Sequence, residues 1–183
     1  MFNGLHSSHQ FTLMTEPESF ASLPDDARLW VHASAAPLSA PKASALTEHL
    51  QTFFATWSSH GRPVQGALRI QDQRFLLVAA TLPDGDISGC GIDAAVHAID
   101  EAASALGIQW VPALDVVYRD AEGAVRDASR SAFRALAHEG VVTAETPVFD
   151  MSLSTVGALR SGEFEQRAGD SWHARAFDLP HPA

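Results

Sequence analysis

The stretch from Arg28 to Arg119 predicts an α+β fold, a ferredoxin-like split β-α-β-β-α-β sandwich with a helical and irregular C-terminal extension. Three observations predict it. Four short stretches are apolar by alternation or throughout, and two longer ones repeat apolar residues at helical spacing. Their order is strand, helix, strand, strand, helix, strand. The third strand, Phe75 to Ala80, is apolar on both faces, whereas the second, Val64 to Ile70, alternates with polar residues. In that topology the first and third strands, near Arg28–Ser34 and Phe75–Ala80, are central and the second lies at an edge, where one face meets water. Another small α+β sandwich is the main rival.

Each element has a local cause. Arg28-Leu29-Trp30-Val31-His32-Ala33-Ser34 reads as the first strand. Ser39 can cap a helix, and Pro41 suits its first turn. Leu46, Leu50, Phe53 and Trp57 then form one stripe, with Gly61 as the expected stop. Asp72-Gln73 makes a tight hairpin between the second and third strands, although it lacks the favoured glycine. The second helix starts near Ile92, turns Ile92, Val96, Ile99, Ala103 and Leu106 inward, and ends at Gly107. Leu114 to Arg119 is the fourth strand, closed by Asp120-Ala121-Glu122-Gly123. A helix over 129–139 follows, with Phe133, Leu136 and Ala137 on its apolar side. Beyond it, Val141-Val142 and Val148-Phe149 extend, 152–160 holds a short helix, and 170–177 is an aromatic, basic terminal segment, either an extended stretch presenting His173 and Arg175 or a strand or helix packed through Trp172 and Phe177.

The expected organisation is one domain over 1–183. Residues 1–20 form an extension, 21–121 the α+β core, and 122–183 a C-terminal segment packed on it. Alternation places Leu29, Val31, Leu68, Ile70, Phe75 and Leu77 under the helices. The other face would carry Trp30, His32, Gln65, Arg69, Leu76, Val78, Asp115, Val117 and Arg119. Such a face is too apolar to stay exposed, so the C-terminal segment, a second subunit or a ligand must cover it.

The chain has 183 residues, 46% of them hydrophobic, which is enough to bury a real core. Its formal net charge of −10 argues against a nucleic-acid partner and against anionic lipid, since both need a basic footprint. No apolar run approaches the roughly 18 residues of a membrane span, and the N-terminus has no signal-peptide pattern. The single cysteine allows no internal disulfide, so a cytoplasmic location is expected. Lys42 is the only lysine among the 12 basic residues. Acid excess with arginine in place of lysine matches the usage of a salt-adapted bacterium.

The candidate chemistry sits at Ser88-Gly89-Cys90-Gly91-Ile92-Asp93, where a turn feeds a helix. Backbone amides there suit an anion, and the helix N-terminus suits a nucleophilic thiol. Ser88, Gly89, Gly91 and Asp93 are therefore candidate ligand-binding residues, with Cys90 and His97 as candidate catalytic ones. Cys90, Asp93, His97 and Glu101 share one helix face. At roughly 1.5 Å rise per residue, however, Cys90 and His97 stand about 10 Å apart along the axis. They make a poor dyad, and a base would have to come from His32, His60 or His173. The competing expectation is a small thiol packed against Ile92 and Val96. His173 and Arg175, two apart in an extended segment, would point the same way and clamp a carboxylate or phosphate. No metal ligand set and no cofactor motif is evident.

Several segments together resemble a known family. They are Leu23-Pro24 with Leu29-Trp30-Val31, then Phe53 to Gly61 with its Trp57…His60-Gly61 end. Ser88 to His97 and Ser171-Trp172-His173-Ala174-Arg175 complete the set. The family consists of small bacterial proteins that often carry the automatic label "ABC transporter ATPase". Its members commonly have serine where Gly91 stands here. The chain has no G-x-x-x-x-G-K-[ST] loop, and Lys42 lies in no glycine loop, so the sequence does not describe an ATPase. The function expected from the sequence is a non-catalytic interaction or dimerisation module, with a second copy or another protein as partner. The alternative is a small-anion-binding protein or thiol-dependent enzyme using the 84–93 loop and Cys90.

Overall fold

Ser39, Ser88 and Ser129 each accept a hydrogen bond from a backbone amide three residues on, and each opens a helix. A computed structural model describes residues 18–179 of the chain; His6 and His9 lie outside the described residues. A short helix, α1 (Glu18–Ala21), precedes β1 (Arg28–Ala33), α2 (Ala40–Phe54), and the two-residue strands β2 (Ser58–Ser59) and β3 (Arg62–Pro63). The hairpin β4 (Gln65–Gln71) and β5 (Phe75–Thr81) leads to α3 (Gly89–Ala105). Then come β6 (Val116–Arg119), β7 (Val125–Ala128), α4 (Arg130–His138), β8 (Pro147–Phe149) and α5 (Val156–Arg160). β9 (Glu165–Arg167), a 3-10 turn (Ala168–Asp170) and α6 (His173–Phe177) complete the order. The fold is mixed α+β, and its strand pairs are antiparallel.

The fourth expected strand leaves the first sheet. That sheet has three strands in the order β1-β5-β4, while β6 belongs to a second sheet ordered β7-β6-β8-β9. β1 is therefore an edge strand rather than a central one. The place beside it is taken by single bridges, Trp110 opposite Ser34 and Thr155 opposite Arg28. Pro112 explains the departure. It has no amide to continue a ladder beside β1, and its carbonyl accepts from the Asp115 amide in a turn that redirects the chain.

A one-residue shift in the β4–β5 hairpin exchanges the faces of β5. Asp72 and Gln73 both adopt positive φ, and Arg74 N donates to Gln71 O, as in the tight turn expected. The paired residues, however, are Gln71 and Phe75, so three residues intervene instead of two. Leu68 thus sits opposite Val78 and Ile70 opposite Leu76. Such a slip moves every side chain of the strand to the other face. Leu76, Val78 and Trp30 face α2 and α3 together with Leu68 and Ile70. Phe75, Leu77 and Leu29 face the second sheet.

Layers follow from these clusters. α2 and α3 cover one face of the first sheet through Leu46, Leu50 and Ile99. Phe75, Leu77, Val117, Phe149 and Phe164 fill the space between the sheets, with Phe75 and Phe149 ring centroids 4.5 Å apart. α4 and α6 cover the outer face of the second sheet through Phe133, Ala137 and Phe177. The apolar face that the sequence leaves open is thus covered from within the chain, which removes it as a surface for a second subunit. Phe20, expected in an extension, is buried in the inter-sheet core.

Three local expectations change. α2 stops at Phe54, so Trp57 is buried beyond the helix, and His60-Gly61 forms the left-handed turn between β2 and β3. α3 begins at Gly89, earlier than Ile92, and its deeply buried line is Gly91, Ala95, Ile99, Ala102 and Ala103. Val141-Val142, expected to extend, is a bend, and 170–177 takes the helical one of its expected forms at His173–Phe177. Among the described residues no helix is long and apolar enough to cross a membrane.

Candidate functional site

The 88–93 turn is built by hydrogen bonds that occupy much of its polar surface. Ser88 Oγ accepts from Gly91 N at 3.2 Å. Ser59 Oγ accepts from Ser88 N at 2.9 Å and donates to Ser88 Oγ at 2.9 Å. Trp57 Nε1 donates to Gly91 O at 3.0 Å. Gly91 is required by packing: a Cβ there would lie 2.9 Å from Ile87 Cγ2 and 3.4 Å from Ser59 Oγ. Two of the amides expected to hold an anion, those of Ser88 and Gly91, are already bonded within this network.

Cys90, Asp93 and His97 are exposed on α3, and Gly89 is exposed at its start. Cys90 is therefore not packed beneath Ile92 and Val96. The reason is the earlier helix start, which puts Gly91, Ala95 and Ile99 on the buried line and turns Cys90 outward. No histidine among the described residues hydrogen-bonds Cys90, and neither cavity described below is lined by it. Among the described residues no group of three or more His, Cys, Asp or Glu is arranged to hold a metal ion.

His173 and Arg175 do not point the same way. On a helix, residues two apart lie on nearly opposite sides; His173 is 1% exposed, while Arg175 is exposed. The His173 ring stacks on Trp172 with centroids 3.8 Å apart, and Nδ1 lies 2.9 Å from Ser171 Oγ. That hydroxyl also reaches Ala168 O at 3.0 Å and accepts from His173 N at 3.3 Å, so it fixes the ring within a local turn. Burial pushes the His173 imidazole down to about 4, against an upward pull from Asp150 and with a further push down from Arg130. The ring is neutral at neutral pH.

His173 opens onto a cleft that sequence reasoning did not find. Its cavity of about 380 Å³ lies where the outer edge of β1, crossed by the Trp110 segment, meets the second sheet. Val31, His32, Trp110 and Val111 form one wall, and Asp150, Met151, Arg130 and Trp172 the other. A smaller hollow of about 260 Å³ adjoins it and shares Asp150, Trp172 and His173. His32 lies 5.2 Å from Trp110 between centroids. Burial lowers its pKa, with Asp100 pulling the other way. Trp110 Nε1 is buried without a hydrogen-bond partner among the described residues. Leu114 and Trp172, 74% and 44% exposed, stand at the rim.

Arg130 is the cleft's cation. Its guanidinium sits 5.7 Å from the Trp172 ring centroid and 5.1 Å from that of Phe177. The described ion pairs of this chain hold Arg74, Arg119, Arg126, Arg160 and Arg167, and Arg130 is in none of them. The cleft draws on β1, the Trp110–Asp115 crossing, the start of α4, the turn after β8 and the start of α6. Of its lining, the sequence singles out Val31, His32, Asp115, Trp172 and His173, but never as one site. Arg130, Trp110 and Asp150 lie far apart in the chain and form no local motif. The cleft's one local sequence signal is the aromatic and basic character of 170–177, which holds Trp172 and His173. Comparison of the chain with protein families, with curated proteins and with solved structures finds no match.

Proposed function

We propose that this protein is a non-catalytic binding module whose working surface is the cleft between β1 and the second sheet. The observation that carries the reading is the joining, at one cleft, of exposed Leu114 and Trp172 with a guanidinium that has no carboxylate partner among the described residues. Exposed apolar side chains at the rim of a concave surface mark a place that gains by being covered. The cleft's volume lies at the lower end of the range for small-molecule sites, roughly 300–1,000 Å³. The two imidazoles are held neutral, and the serine nearest to one of them serves its local turn. That chemistry suits recognition better than nucleophilic attack.

A panel of small apolar and polar fragments, read by thermal unfolding, tests this. Fragments that bind should raise the melting temperature of the wild type and of Cys90→Ala alike, and should lose that effect in Trp172→Ala. Protection that survives Trp172→Ala and vanishes in Cys90→Ala would reject the reading. It would favour the second one, thiol chemistry at the 88–93 turn, which the exposure of Cys90 supports.

A further inference from the structure

Arg130 and Asp150 are opposite charges that line the same cleft, and they form no ion pair with each other. Both stand close enough to His173 to act on it electrostatically. Asp150 is anchored by one oxygen only. Its Oδ1 accepts from the Ser152 amide at 2.9 Å and from the Ser152 hydroxyl at 2.5 Å, while Oδ2 has no donor among the described residues. The fixed carboxylate therefore keeps a free acceptor. Asp115, half-buried and without an ion-pair partner among the described residues, adds a second negative charge to the lining.

That balance argues against a simple anion, which would meet two half-buried carboxylates beside one exposed guanidinium. A ligand carrying both charges satisfies each group without leaving the other unpaired. Between the charged groups the wall is apolar, with Val31, Trp110 and Met151 available to cover a side chain.

Resting on the binding reading above, we infer that the cleft takes a zwitterionic α-amino acid with a large apolar side chain. Its carboxylate lies against Arg130 and its ammonium against Asp150, and its side chain covers Val31 and Met151. The unclosed pair Arg130–Asp150 is then the device that selects for both ends at once.

Calorimetric titration with three probes tests this: L-phenylalanine, phenylacetate, which lacks the ammonium, and phenethylamine, which lacks the carboxylate. L-Phenylalanine should bind at least about tenfold more tightly than either half, since each half forfeits one charge-assisted hydrogen bond. Arg130→Gln should weaken L-phenylalanine and phenylacetate by a similar factor and leave phenethylamine within about twofold. Asp150→Asn, which keeps the acceptor for Ser152, should weaken L-phenylalanine and phenethylamine and leave phenylacetate unchanged. Three probes of equal affinity, or variant effects that ignore which charge is missing, would overturn the inference. Absence of heat with L-phenylalanine, while fragments still protect the protein through Trp172, would overturn it and leave the binding module standing. Loss of both signals would remove both.

Discussion

Arg74, at the end of the β4–β5 turn, reaches Asp127 on β7 at 2.8 Å and so ties one sheet to the other. The guanidinium is nearly buried and each of its three nitrogens donates: Nε to Ser34 O and Nη1 to Val125 O, both at 2.7 Å, and Nη2 to Asp127. The shift that makes Asp72–Arg74 a three-residue connection is what places Arg74 there. Removing it leaves two buried carbonyls and a carboxylate without their donor. Arg74→Ala should destabilise the protein by about 3 kcal/mol in urea unfolding, and Asp127→Asn by less, because Asp127 keeps contact with water. Equal and small effects of the two would mean that the sheets are held by apolar packing alone.

His173 makes stability depend on pH. Its folded pKa, about 4, lies below the ordinary value of 6.5. Between those values the unfolded chain binds a proton that the folded chain does not, so stability rises with pH across that window. It is fully present above about pH 6.5 and falls toward pH 4, by on the order of 2–3 kcal/mol for this one group. His32 is shifted in the same direction and adds to the slope. Chemical denaturation from pH 7 to pH 4 should show the loss, and His173→Gln should flatten part of it. A wild-type profile that is level over this range would contradict the burial of the ring.

The exposure of Cys90 reverses the slow labelling that packing beneath Ile92 and Val96 would give. Iodoacetamide should alkylate the native protein at nearly the rate of the denatured chain. Cys90→Ala should change unfolding free energy by less than about 0.5 kcal/mol, as exposed positions do. Labelling that requires denaturant would place the thiol inside.

Trp172 holds the cleft's outer wall, stacked on His173 and under Arg130. Since it is 44% exposed, Trp172→Ala should cost only about 1 kcal/mol of stability, read in urea. A loss of several kcal/mol would make the ring a structural element first.

The parts legible in the sequence are those with local causes. Ser39 and Ser88 announce their helices, and Phe75 to Ala80 reads as the central strand because it is apolar on both faces. The β6 strand was legible as a strand but not as a member of another sheet. Its partners, Val125–Ala128 and Pro147–Phe149, follow it in the chain, and only the break at Pro112 separates it from β1. The register at Asp72–Arg74 turns on one residue in a turn that lacks glycine, which no pattern of alternation resolves. Arg175 was misplaced because a five-residue helix has too little sequence to show a period. The cleft was hidden for a different reason: its walls come from distant segments, and each of its residues has an ordinary place in its own element.

Binding at the cleft and binding at the 88–93 turn are told apart most directly by the side-chain indole signals of a ¹⁵N-labelled sample. Titration with L-phenylalanine should shift the Trp110 and Trp172 Nε1–H resonances along one saturable curve. The Trp57 signal, whose proton is bonded to Gly91 O beside Cys90, should stay in place. Movement of Trp57 with Trp110 and Trp172 unmoved would put binding at the turn and contradict the central claim.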